Sequence, residues 1–141
     1  MDRSRRFKYC SNKVATTEEW VGAGVEVNSW ATGNSINTAR YLHLGAGTQT
    51  AGLIFGGDSG SPLAITESYD GTSWTEVNDL NTARQGGAAC GTQTAALNFG
   101  GGYPPNFGET ELFNGTSWTE LNDINSDRRS SGGAGTSTAA L

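Results

Sequence analysis

Histidine is almost absent from this sequence, with His43 standing alone. One imidazole is too few for a multi-histidine metal centre, and no His/Cys cluster or HExxH accompanies it. Cysteine is nearly as scarce. Cys10 and Cys90 lie far apart with no CxxC spacing, which argues against a structural zinc site or a dithiol redox pair. Cys90 stands where other segments carry Ala46 and Ala134, so it reads as a small buried side chain, with a Cys10–Cys90 bridge as the alternative. Only three prolines occur, Pro62, Pro104 and Pro105, and they mark loops rather than a proline-rich linker. No apolar run approaches the ~18 residues of a membrane-spanning helix. No apolar stretch of the kind found in a signal peptide follows the basic N-terminal residues.

Positive charge is also sparse, with nine Lys and Arg against fourteen Asp and Glu. Five of the nine (Arg3, Arg5, Arg6, Lys8 and Lys13) fall in residues 1–13, leaving four arginines against thirteen acids in the rest. Such an acidic body argues against nucleic acid and anionic membrane as principal partners, because phosphate is neutralised by clustered cations. The segment 1–14 reads as a solvated basic arm.

What is abundant is glycine, 21 residues of 141, together with a strong internal repeat. Trp30, Trp74 and Trp118 recur every 44 residues, as do Arg40, Arg84 and Arg128, then Gly47, Gly91 and Gly135, then Leu53, Leu97 and Leu141. Each period holds short threonine- and aromatic-rich runs split by turn residues such as Asp70-Gly71, a hairpin signal. The run Thr94–Phe99 alternates with period two, and no segment has a helical period. The expectation is an all-β protein of stacked repeats, four short antiparallel strands to each period.

The diglycines of Phe55-Gly56-Gly57 and Phe99-Gly100-Gly101, the aromatics Trp20, Tyr69 and Phe113 of the next strand, and the Trp that follows each resemble the kelch signature. The resemblance covers residues 17–141 and implies a kelch-like β-propeller. The wording of the repeats is also similar to kelch-repeat proteins of marine bacteriophages, which implies a virion or extracellular setting. On this resemblance, residues 15–36 form a half-blade carrying third and fourth strands, 37–80 and 81–124 form blades, and 125–141 form a half-blade carrying first and second strands. Three blade equivalents are too few to close a propeller, for which 4–8 blades are typical. Two chains forming six blades is one expectation, and a fragment of a longer propeller is the other.

Function is less legible. No nucleophile motif, phosphate loop or carboxylate dyad is present, so the expectation is a non-enzymatic module with no cofactor and no metal site. The rivals are a purely structural self-assembling half-propeller and a piece of a larger propeller enzyme. Candidate ligand contacts are Arg40, Arg84 and Arg128, each placed where a loop re-enters an innermost strand, and Tyr103 and Phe107. The latter pair lie in the loop after the second diglycine, which differs between periods (58–64 against 102–108). The arginines have two readings: ties from loop to acid, such as Glu67 or Glu111, or a positive ring meeting an acidic sugar or carboxylate. Tyr103 and Phe107 suit stacking on a sugar face. Glycan or another structural protein is the expected partner class, beside self-association.

Overall fold

The computed structural model describes residues 18–21, 29–102 and 105–140, with side chains from Thr32 onward. Among these the chain is entirely strand and loop, with no helix. The strands are β1 (Glu18–Val21), β2 (Ser29–Thr32), β3 (Leu44–Thr48), β4 (Ala51–Phe55), β5 (Thr66–Tyr69) and β6 (Trp74–Val77), followed by β7 (Ala88–Thr92), β8 (Ala95–Phe99), β9 (Thr110–Phe113), β10 (Trp118–Leu121), β11 (Gly135–Thr136) and β12 (Ala139–Ala140).

They form two four-stranded antiparallel sheets, β3-β4-β5-β6 and β7-β8-β9-β10, flanked in sequence by two two-stranded sheets, β1-β2 and β11-β12. Each four-stranded sheet is a meander, with every strand paired to its sequence neighbour. The registers coincide between repeats: Tyr69 faces Trp74 and Phe113 faces Trp118. Trp20 faces Trp30 in β1-β2, so that pair matches the third and fourth strands of a full sheet. Gly135 faces Ala140 as Gly91 faces Ala96, so β11-β12 matches the first and second.

Local chemistry explains the turns. Asp70 accepts hydrogen bonds from Thr72 N and Ser73 N at 2.8 Å each, and Asn114 does the same for Thr116 and Ser117 at 2.9 Å. These side-chain caps close the β5-β6 and β9-β10 hairpins. At the β7-β8 hairpin Gly91 has φ of 106°, and a Cβ there would lie 2.2 Å from the Ala95 carbonyl oxygen. Only glycine fits, which accounts for the Gly47, Gly91, Gly135 series.

The sheets stack face to face. First strands lie side by side, β3 against β7 and β7 against β11. A Cβ on Gly133 would meet the Ala89 carbonyl at 2.4 Å, so small residues permit this approach. Because a stacked sheet is covered on both sides, the period-two alternation of β8 does not separate inside from outside: Ala96, Leu97 and Asn98 are all buried. The core between the two full sheets gathers Leu53, Phe55, Leu80, Ala96, Phe113 and Trp118. There the Trp118 ring lies 4.7 Å from Phe55 and 5.1 Å from Phe113 between centroids. Its Nε1–H donates to Thr66 Oγ1 of the neighbouring sheet at 3.0 Å.

Candidate functional site

Two arginines of the repeat are sealed inside the sheets. Arg84 Nη2 stands 2.5 Å from Glu111 Oε1, both side chains buried, and 3.3 Å from Glu109 Oε2. Arg84 Nη1 donates to the Glu109 carbonyl at 2.8 Å and Nε to the Thr82 carbonyl at 3.3 Å. The Glu111 carboxylate also accepts from Asn81 N at 2.8 Å and Asn81 Nδ2 at 3.0 Å. Each charge is thus paired and bonded, the condition under which burial of an ion pair is tolerated. Arg40 repeats the arrangement, with Nη1 3.0 Å from Glu67 Oε1, although its guanidinium makes no aligned hydrogen bond as Arg84 does. Burial lowers the Arg40 pKa and the Glu67 charge counteracts it. The loop-to-acid role describes both residues. They are only 1% exposed, so neither adds to a positive ring at the solvent.

Arg128 differs. Its backbone carbonyl is gripped by Gly101 N at 2.8 Å, as that of Arg84 is by Gly57 N at 2.9 Å. Its Nε donates to Ser126 O at 3.2 Å, the counterpart of the Arg84–Thr82 bond. Its side chain is nevertheless exposed and forms no ion pair among the described residues. Phe107 is half-buried against the diglycine turn, where a Cβ on Gly102 would come within 2.9 Å of its ring. That contact packs the loop on itself. Tyr103 lies outside the described residues.

The rim itself is built by residues that follow the repeated arginines. Tyr41 and Leu42, Gln85 and Gly86, and Arg129 and Ser130 come together with the 58–62 loop around a cleft of about 420 Å³. Tyr41 is 44% and Leu42 55% exposed, and Arg129 is exposed. The loop is held by Asp58, whose carboxylate accepts from Gly60 N at 2.6 Å and whose backbone pairs with Tyr41. Leu42, Gly86 and Ser130 share one register position and a left-handed backbone, with φ of 54°, 64° and 55°. Two non-glycine residues in that conformation on a rim are a strained feature of the type found at binding sites. Tyr41 and Arg129 were not among the sequence candidates. The signal was there, since the residue after each repeated arginine changes from Tyr to Gln to Arg. Nearby, His43 is solvent-exposed, yet desolvation by the strands around it, and then the Arg40 charge, lower its pKa from the ordinary histidine value.

A second cleft, about 460 Å³, opens on the outer face of the second full sheet between Leu97, Phe99, Thr110, Ile124 and Ala140, with Arg128 at its edge. Nothing among the described residues fills it, and Thr110 Oγ1 is buried there without a hydrogen-bond partner.

Among solved structures, the chain is similar to that titled "Structure of YjhT". The likeness has a TM-score of 0.66 at 11% identity and covers 76% of this chain and 39% of that one. Among the described residues the sheets are propeller-like blades that do not close. At that identity the likeness carries the fold alone, and this chain spans only part of YjhT's length. No protein-family model and no curated protein matches this chain.

Proposed function

We propose that this chain is a non-enzymatic, kelch-like propeller module for binding and assembly, in which two chains supply six blades and the rim holds the ligand. The observation that carries the assembly is the complementary content of the two-stranded sheets. The pair β1-β2 has the register of third and fourth strands, and β11-β12 that of first and second. Set edge to edge, one pair from each chain makes a four-stranded blade in the order of the full sheets. Bare sheet edges invite such pairing, and an end-to-end contact of this kind closes when the rotation relating the copies closes.

The ligand reading rests on the rim cleft, with Tyr41 for stacking and Arg129 for an acidic group. A glycan, or an acidic segment of another structural protein, fits that chemistry. The resemblance to bacteriophage kelch-repeat proteins favours a virion appendage or a secreted particle as the setting. The test is binding of the intact chain to an array of neutral and acidic glycans, repeated with Tyr41→Ala and Arg129→Glu. Binding to acidic glycans that both variants abolish, with unchanged melting, supports the reading. Binding that survives both variants, or turnover of a bound sugar, overturns it.

A further inference from the structure

The open cleft on the second full sheet has a filled counterpart in the same molecule. The core between the two full sheets consists of Leu53, Phe55 and Leu80 from the first sheet and the loop that follows it, with Ala96, Phe113 and Trp118 from the second, third and fourth strands of the next sheet. One period later, the first four become Leu97, Phe99, Ile124 and Ala140, and all four line the open cleft. Their burial shows what is missing: Phe55 is 0% exposed and Ala96 0%, whereas Phe99 is half-buried and Ala140 exposed. The polar partner is missing too. Thr66 Oγ1 accepts the Trp118 indole N–H, while its equivalent, Thr110 Oγ1, is buried and unpartnered.

By pairing register, the residues equivalent to Phe113 and Trp118 in β1-β2 are Trp20 and Trp30. Glu67 and Glu111 each stand two residues before the strand-three aromatic, and the residue two before Trp20 is Glu18. Arg128 is the exposed member of its series, prearranged by the same backbone and Nε bonds that hold Arg84.

We infer that the cleft is the docking site for β1-β2 of a second copy of this chain. The second copy's Trp30 enters between Phe99 and Thr110, with its indole N–H donating to Thr110 Oγ1. The second copy's Glu18 then closes on Arg128 as a buried ion pair, and β1 of that copy pairs with β12, Trp20 opposite Ala140. Two-fold symmetry repeats the contact, giving two identical junctions. This inference rests on the two-chain reading above and assigns the residues that form its interface.

A charge exchange tests it. In Arg128→Glu both junctions of a homodimer bring Glu18 against the introduced carboxylate, and in Glu18→Arg both bring the introduced guanidinium against Arg128. Each variant alone should lose association by at least about tenfold, since removing one partner of a buried pair is strongly disruptive. Mixed one to one and refolded together, they place a matched pair at both junctions, so a dimer containing one copy of each should return. Mass spectrometry under native conditions, with one variant isotope-labelled, reads the composition. Recovery of the mixed dimer from two association-deficient parents is the result expected. Wild-type-like dimers of either variant, or parents whose mixture stays dissociated, would overturn the Glu18–Arg128 assignment while leaving a two-chain propeller intact. A wild-type chain that is itself monomeric overturns the two-chain reading, and this inference with it.

Discussion

Replacing Trp118 by alanine should be among the most damaging single changes in this chain. The indole is 6% exposed, packs against Phe55 and Phe113, and donates a hydrogen bond across the junction between sheets. Truncating a buried aromatic typically costs about 3–5 kcal/mol in lost transfer energy and cavity. Leaving Thr66 Oγ1 buried without its donor adds about 1 kcal/mol or more. A domain of this size has roughly 5–15 kcal/mol to lose, so Trp118→Ala should remove a large part of its stability. Trp118→Phe retains much of the ring contact and should cost less, about 1–2 kcal/mol, most of it the lost N–H donor. Urea denaturation followed by far-ultraviolet circular dichroism measures both. Trp74 occupies the same register but is only half-buried, so Trp74→Ala should shift the midpoint less than Trp118→Ala. A Trp118→Ala shift no larger than that of an exposed-site substitution, about 0.5 kcal/mol, would refute the role of this ring as the wedge between blades.

Glu111→Ala should destabilise by about 3 kcal/mol because it takes the nearer carboxylate from the buried Arg84 guanidinium and leaves only Glu109, read from the same urea midpoint. Gly101→Ala should also lower the midpoint, since φ there is 102° and a Cβ would stand 2.9 Å from the Gln85 carbonyl oxygen. Tyr41→Ala and Arg129→Glu, both exposed on the rim, should leave the midpoint within about 0.5 kcal/mol of the parent. For His43 the folded pKa lies below the ordinary value of 6.5, so the unfolded chain binds the proton more readily. Its contribution is therefore fully present above about pH 6.5 and falls away as pH drops through the folded pKa. A pH series of melting points should show that slope in the parent and a flatter one in His43→Gln.

The scaffold was legible because the repeat writes it three times. A 44-residue step in Trp, Arg and Gly, with Asp70-Gly71 and Asn114-Gly115 as turn caps, carries strand order and hairpins without tertiary information. The arginine series shows the limit of that signal. Arg40, Arg84 and Arg128 are identical letters in identical frames, yet two are buried against Glu67 and Glu111 and one is exposed. What separates them is whether a third strand lies beside the loop, a long-range fact. The alternation of β8 marked a strand with two faces but did not rank them, since a sheet buried on both faces gives Asn98 the same burial as Ala96. Tyr41 and Arg129 came into view only when the fold brought the 58–62 loop over the residue that follows each arginine. Binding positions vary between repeats, so periodicity conceals what it does not share.

The molar mass of the intact chain in solution, measured by sedimentation equilibrium over a wide concentration range, tests the central claim most directly. Completion of the half-blades by a second copy predicts a closed species of twice 14.7 kDa that grows no further, with a melting temperature that rises with concentration as folding and association are linked. A cooperatively folded species of 14.7 kDa whose melting is independent of concentration, or an open series of larger polymers, would contradict it.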